Sequence, residues 1–107
     1  MIADKKIPSD IVYEDNEITA FKDINPEAPV HILIIPKKHI SSLTHMSEEE
    51  MTVIASIYSI ANKLAKDFEI SSSGFRIVMN CGKDGGQTVE HLHFHLLGGR
   101  VLQWPPG

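Results

Sequence analysis

Three histidines at alternate positions, His91, His93 and His95, stand in the run His91-Leu92-His93-Phe94-His95-Leu96-Leu97. Successive side chains of an extended strand point to opposite faces. This spacing therefore sets three imidazoles on one face and Leu92, Phe94 and Leu96 on the other. Near neutral pH an imidazole can attack an electrophile, donate a hydrogen bond or carry a proton. For one such histidine a place on a solvated strand face is the better reading. With half of the chain's six histidines on one strand face, a shared role is favoured.

Two chemistries compete for that face. His-x-His on a strand is good zinc-ligand geometry, but such sites usually recruit a further ligand from elsewhere. The obvious extras are Glu90, Asp84 and His39, and the chain has no Cys-x-x-Cys pair, so metal ranks second. Phosphate ranks first because of the segment just before the histidines. Gly85 and Gly86 let the backbone approach a ligand closely, and Gln87 and Thr88 add side-chain donors. Backbone amides and imidazoles around one phosphoryl group would stabilise the charge that spreads over its oxygens in the transition state.

The elements that must position these residues follow from local pattern. Strands are expected at Ile11 to Glu14 and Ile18 to Asp23, joined by a turn at Asp15-Asn16. A further strand, His31 to Ile35, is dense in β-branched residues and stops at Pro36. A helix is expected to begin at Ser47, with Glu50 completing a capping box. Its buried stripe is Ile54, Ile57, Tyr58, Ala61, Leu64, Ala65 and Phe68, and Ser71 to Gly74 ends it. Strands Phe75 to Asn80 and His91 to Leu97 complete the order β-β-β-α-β-β. Short connections imply mainly antiparallel pairing, so the expected fold is α+β: a five-stranded sheet with one long helix across one face. Met1 to Asp10 and Ile40 to Met46 are ambiguous, each compatible with a turn of helix.

Composition bounds the rest. A chain of 107 residues, 42% apolar and 22% charged, supports a single domain over residues 1–107. Its formal net charge of −4 argues against nucleic acid or an anionic membrane as a general partner. The apolar run from His31 to Pro36 is too short to span a bilayer, and the N-terminus lacks the pattern of a signal peptide. With a single cysteine, Cys81, expected to be buried and inert, a cytoplasmic location is the natural expectation. His31, in an apolar strand, reads as a satisfied core or interface histidine, and His45 as a surface residue.

The histidine run resembles the signature of the histidine-triad nucleotide-binding superfamily. Its nucleoside phosphoramidase (Hint) branch is matched by Phe21-Lys22-Asp23-Ile24-Asn25-Pro26-Glu27-Ala28-Pro29, Ile35-Pro36-Lys37-Lys38-His39-Ile40 and Asp84-Gly85-Gly86-Gln87-Thr88-Val89. Gly98-Gly99-Arg100 and Trp104-Pro105-Pro106-Gly107 agree as well. The resemblance implies an enzyme that binds a purine nucleoside monophosphate group and hydrolyses its phosphoramidates, AMP–lysine types included, without a metal or other cofactor. By the same resemblance, His93 attacks phosphorus to give a nucleotidyl-histidine that water resolves, and His91 orients it. His95 and Thr88 contact phosphate oxygens or the leaving group, while His39 completes the polar network. Asp23 takes the ribose hydroxyls and Ile24 lines the base pocket, with Asn80, Gly86 and Gln87 on the phosphate or ribose side. A homodimer with a continuous sheet is implied, the tail and Trp104 reaching towards the partner. Departures are Thr88 in place of the more usual Ser, Gln103 where some relatives carry His, and no N-terminal Cys pair of the zinc-binding kind. The alternatives left open are a dinucleoside polyphosphate hydrolase, a zinc-binding protein and a non-catalytic nucleotide binder.

Overall fold

A computed structural model describes residues 10–107, so the ambiguous segment at Met1 to Asp10 lies almost wholly outside the described residues. Five strands form one antiparallel sheet: β1 (Ile11–Glu14), β2 (Ile18–Lys22), β3 (Val30–Pro36), β4 (Phe75–Val78) and β5 (Phe94–Gly98). Their spatial order is β1-β2-β3-β5-β4, so the last strand enters between β3 and β4. The β1–β2 turn is closed by Asp15, whose Oδ1 accepts the N–H groups of Glu17 and Ile18 at 2.7 and 2.8 Å. The segment Ile40 to Met46 holds one 3₁₀ turn, Leu43–His45.

Helix α1 (Thr52–Asp67) covers one sheet face. Ile57, Ile60, Ala61, Leu64 and Ala65 pack on Ile18, Ala20, Ile32, Ile34, Leu92, Phe94 and Leu96. Ile60 is buried although the expected stripe omitted it, and Tyr58 stands half exposed, its ring edge to face with Phe94 at 6.1 Å between centroids. The capping box exists: Ser47 N–H reaches Glu50 at 2.9 Å and Glu50 N–H reaches Ser47 Oγ at 3.2 Å. It caps a tighter lead-in, because Val53 and Ile54 bond back three residues, to Glu50 and Met51, and the regular helix starts only at Thr52. The helix also ends before Ser71. Glu69 adopts φ 60° and Ile70 N–H returns to the Ala65 carbonyl at 2.9 Å, the hydrogen bond of a Schellman stop.

Strand β3 is buried on both faces, which is why its sequence is an almost unbroken apolar run. Ile32 and Ile34 join the helix-side core, whereas Leu33 and Ile35 cluster with Phe21 on the opposite face. The second face is thus also withdrawn from water. Leu33 pairs with His95 across β3–β5, and Val78 pairs with His95 across β4–β5, so that imidazole is flanked by aliphatic side chains.

Candidate active site

Leu92, Phe94 and Leu96 face the helix as the alternation requires, and the histidines lie on the other side. Regular strand geometry begins only at Phe94, however, so His91 and His93 precede β5 rather than lying within it. The expected strand start at His91 is corrected because Leu92 N–H is taken by the Ile40 carbonyl, at 2.6 Å, outside the sheet ladder. The histidine face is also less open than a solvated strand face: His91 and His93 are only 1% and 7% exposed.

Backbone contacts fix which nitrogen of each ring carries its proton. His93 Nδ1 lies 2.7 Å from the His91 carbonyl oxygen. A carbonyl can only accept, so Nδ1 carries the hydrogen and a neutral His93 keeps its lone pair on Nε2. Among the described residues no buried side-chain nitrogen or oxygen lacks a partner, so Nε2, with none, reaches solvent. In the same way His91 Nε2–H donates to the Pro36 carbonyl at 3.0 Å, leaving Nδ1 to face His39 Nδ1 at 3.2 Å. The two rings stack, with centroids 5.2 Å apart. Burial pushes the His91 pKa down, against the opposing pull of the Pro36 carbonyl, so this ring stays neutral.

The His95 ring meets that of His93 edge to face at 5.0 Å. Its pKa is pushed down to about 4, first by burial and then by neighbouring His93 and His31. At neutral pH it is therefore an uncharged ring. Its Nδ1 lies 2.9 Å from His31 Nε2. His31 Nδ1 accepts the Glu27 N–H at 3.0 Å, so its proton sits on Nε2 and is donated to His95. His95 must then carry its own proton on Nε2. A lone pair on His93 thus stands beside a neutral N–H donor on His95, the combination that attack on a centre bearing developing oxyanions requires.

His31 is buried and satisfied, as expected of a core histidine, but it also touches the site. His31, His95 and Asp23 bring ligand atoms within 4.8 Å of one another, a group that could hold a metal ion. The 2.9 Å between the two imidazole nitrogens is a hydrogen-bond distance. It is shorter than the roughly 3.3 Å between two ligands of tetrahedral zinc at ordinary Zn–N lengths. The sequence signal for His31 was its odd-numbered place two residues before Leu33, which becomes informative only once Leu33 is paired with His95.

Other expected residues are placed as follows. Asp23 and His31 border a groove of about 190 Å³, beside Pro26 and Phe68. Ile24, next to Asp23, is 70% exposed. Asn80 lines a groove of about 450 Å³ with Val78, Leu97, Arg100 and the tail residues Gln103 and Pro105. Another groove, of about 510 Å³, runs along Gly74–Arg76 and Gly99–Leu102 and contains none of the histidines. Thr88 and Gly86 are exposed in the loop. Trp104 is 78% exposed, its ring 5.8 Å from the Arg76 guanidinium, while Arg76 also donates to the Gln103 carbonyl at 3.1 Å.

The loop before the histidines corrects the sequence reading in one respect. The Gln87 side chain is not a spare donor: its amide donates to the Ser41 and Val89 carbonyls at 2.7 and 3.0 Å and accepts Gly82 N–H at 2.9 Å. The N–H groups of Gly86 and Gln87 close turns onto Lys83 and Gly82, both at 3.0 Å. Gly85 and Gly86 serve the loop's own path, since a Cβ on Gly85 would meet the Cys81 carbonyl at 2.4 Å and Gly86 adopts φ +85°. Gln87 is therefore the strut of this loop. Changing Gln87→Ala is expected to cost about 1–2 kcal/mol in denaturant unfolding and to speed amide exchange across residues 82–89, because two half-buried carbonyls lose their donor. Cys81, expected to be buried, is half-buried, and its pKa is lowered by hydrogen bonding from the Thr44 backbone and the Thr44 and Ser42 hydroxyls.

Comparison with known proteins gives the family and the fold. The HIT domain model matches residues 4–102. A HIT-like protein of Buchnera aphidicola is 48% identical over 102 residues, covering 95% of this chain and 90% of its own. Among solved structures, a HIT family hydrolase from Legionella pneumophila superposes with TM-score 0.94 at 48% identity, covering 99% of this chain and 95% of its own. A histidine triad protein from Clostridium difficile gives 0.91 at 49% identity, covering 95% of this chain and 89% of its own.

Proposed function

The chain belongs to the HIT domain family, and we propose that it is a hydrolase of nucleotidyl bonds whose preferred substrates are purine nucleoside phosphoramidates of the AMP–amine or AMP–lysine type. The observation that carries this reading is the protonation pattern of the triad, with a lone pair on His93 Nε2 beside the N–H of a neutral His95. The names of the Legionella pneumophila and Clostridium thermocellum structures, both HIT family hydrolases, support the reaction class.

In this reading His93 Nε2 attacks phosphorus and the P–N bond breaks, the amine leaving with a proton taken from solvent. Water then attacks the nucleotidyl-histidine, giving a proton back to solvent, returning His93 and releasing the nucleoside monophosphate. His95 Nε2–H holds a non-bridging oxygen as charge develops, and its neutrality leaves the nucleophile's own proton balance undisturbed. His91 contributes through its carbonyl, which grips His93 Nδ1–H and sets the attacking tautomer, while His39 braces the His91 ring. Thr88 would meet the leaving group from the exposed loop, with Gly86 and Gln87 shaping that loop. Asp23 would accept the ribose hydroxyls, the exposed Ile24 would cover the base, and Asn80 would face the phosphate side. No step calls on a metal.

The same reading includes a homodimer. Among the described residues strand β4 is an edge of the sheet with an unpaired side, and a second copy added there would extend the sheet and cover the exposed Trp104. Light scattering should give the mass of two chains; a monomer at micromolar concentration would contradict this part. For the activity, purified protein should be offered an adenosine phosphoramidate and a dinucleoside polyphosphate at equal concentration. Preference for the P–N substrate is expected. Preference for the P–O–P substrate would assign it to the other hydrolase class, and tight AMP binding with no turnover of either would make it a nucleotide binder.

A further inference from the structure

His95 serves as a donor only while its proton stays on Nε2, and His31 is the residue that holds it there. Its Nδ1 is held by the Glu27 N–H at 3.0 Å, so its one proton lies on Nε2, between two acceptors: His95 Nδ1 at 2.9 Å and Asp23 Oδ2 at 3.4 Å. Asp23 is itself anchored, its Oδ1 accepting Asn25 N–H at 2.8 Å, so Oδ2 is the oxygen left for other partners.

We infer that His31 is a positioning residue that sets the tautomer of His95 and ties it to Asp23, so that occupancy of the ribose side is felt at phosphorus. This rests on the proposed role of Asp23 as acceptor of the ribose hydroxyls. When those hydroxyls donate to Asp23, the carboxylate has less claim on the His31 proton, which is then committed to His95 Nδ1. His95 is thereby locked as an Nε2–H donor when a nucleotide is in place. Groups facing His31 and His95 are Asp23 and Glu27 on the ribose side and His93 on the phosphate side, so the chain of contacts runs without a gap between them.

The consequence is specific. Loss of the ribose hydroxyls should lower kcat as well as raise KM, and it should do so only while residue 31 can donate. The test uses an adenosine phosphoramidate and its 2′,3′-dideoxy analogue with the intact chain and with His31→Gln and His31→Phe. The dideoxy substrate is expected to lose roughly tenfold in kcat with the unaltered protein. His31→Phe should lose roughly tenfold or more in kcat with the ribose substrate, and its kcat should no longer distinguish the two substrates. Gln, whose amide can donate where Nε2 stood, should recover a large part of that loss. Equal kcat for the two substrates with the unaltered protein, or a Gln variant no better than Phe, would overturn the inference.

A second readout does not depend on activity. Nitrogen NMR of histidine-labelled protein should show His95 protonated at Nε2 and bare at Nδ1, a pattern lost in His31→Phe. Protonation of His95 at Nδ1 would overturn the inference even if turnover behaved as expected. Should no nucleotidyl substrate be hydrolysed, the proposed function falls, while the NMR result still decides whether His31 sets His95. If His31→Phe fails to fold, the dideoxy comparison with the unaltered protein and the Gln variant decide it.

Discussion

Replacing His93 by alanine should abolish turnover, lowering kcat/KM for a nucleotidyl substrate by at least about 10³-fold, the scale on which removal of a nucleophile acts. The fold should survive. His93 makes one backbone hydrogen bond, to the His91 carbonyl, and its loss costs about 1–2 kcal/mol, which circular dichroism and thermal unfolding will register as a modest shift. A His95→Gln variant supplies the contrast. Glutamine keeps a neutral N–H donor, so its loss should be nearer tenfold, since stabilisation of a developing oxyanion is weakened rather than deleted. If the two variants lose activity equally, the assignment of attacker and donor is wrong. Turnover by His93→Ala at the original rate would remove His93 from the chemistry altogether.

Acid should destabilise this protein well before its carboxylates titrate. His95 is held neutral in the folded chain down to about pH 4, whereas an unfolded histidine takes up its proton near its ordinary value of 6.5. Between those limits the unfolded chain binds more protons, so stability falls as pH drops through the window and is independent of this group above it. For His95 the loss is about 2–3 kcal/mol across the full window, reduced to the extent that solvent reaches its half-buried ring. His31 and His91, whose pKa values are also lowered chiefly by burial, act in the same direction and steepen the fall. Asp15 and Glu50, held down by hydrogen bonds from Tyr13 and Lys38, contribute only at lower pH. Urea unfolding at pH 7, 6 and 5 should show a progressive decrease, made shallower by one proton in His95→Gln. A flat profile from pH 7 to 5 would contradict the neutrality of His95 on which the mechanism depends.

The histidine face was legible in the sequence because it is a local pattern: Leu92, Phe94 and Leu96 alternate with the histidines and do face the helix. The order of elements was legible for the same reason, each segment carrying its own period and its own turn residues. What could not be read is which strand lies beside which. Entry of β5 between β3 and β4 sets Leu33 and Val78 against His95, and this long-range pairing both neutralises His95 and brings His31 into contact with it. His31 therefore looked like a core residue, which it is, and its second role stayed hidden. The Gln87 reading failed on another ground. An amide next to glycines looks like a free donor, but its partners include the Ser41 carbonyl, 46 positions away in the chain. The helix boundaries moved because hydrogen bonds to the third residue, at Glu50 and Met51, and a left-handed Glu69 compete with the ordinary α pattern at its two ends.

The central claim is that His93 Nε2 forms a covalent bond to phosphorus. It is tested most directly by mixing the protein with an adenosine phosphoramidate, quenching under mildly alkaline denaturing conditions within a turnover, and mapping the modified peptide by mass spectrometry. An adenylyl group on His93 is the predicted result. An adduct on His91, His95 or His39, or turnover in which none of the protein is ever adenylylated, would contradict it.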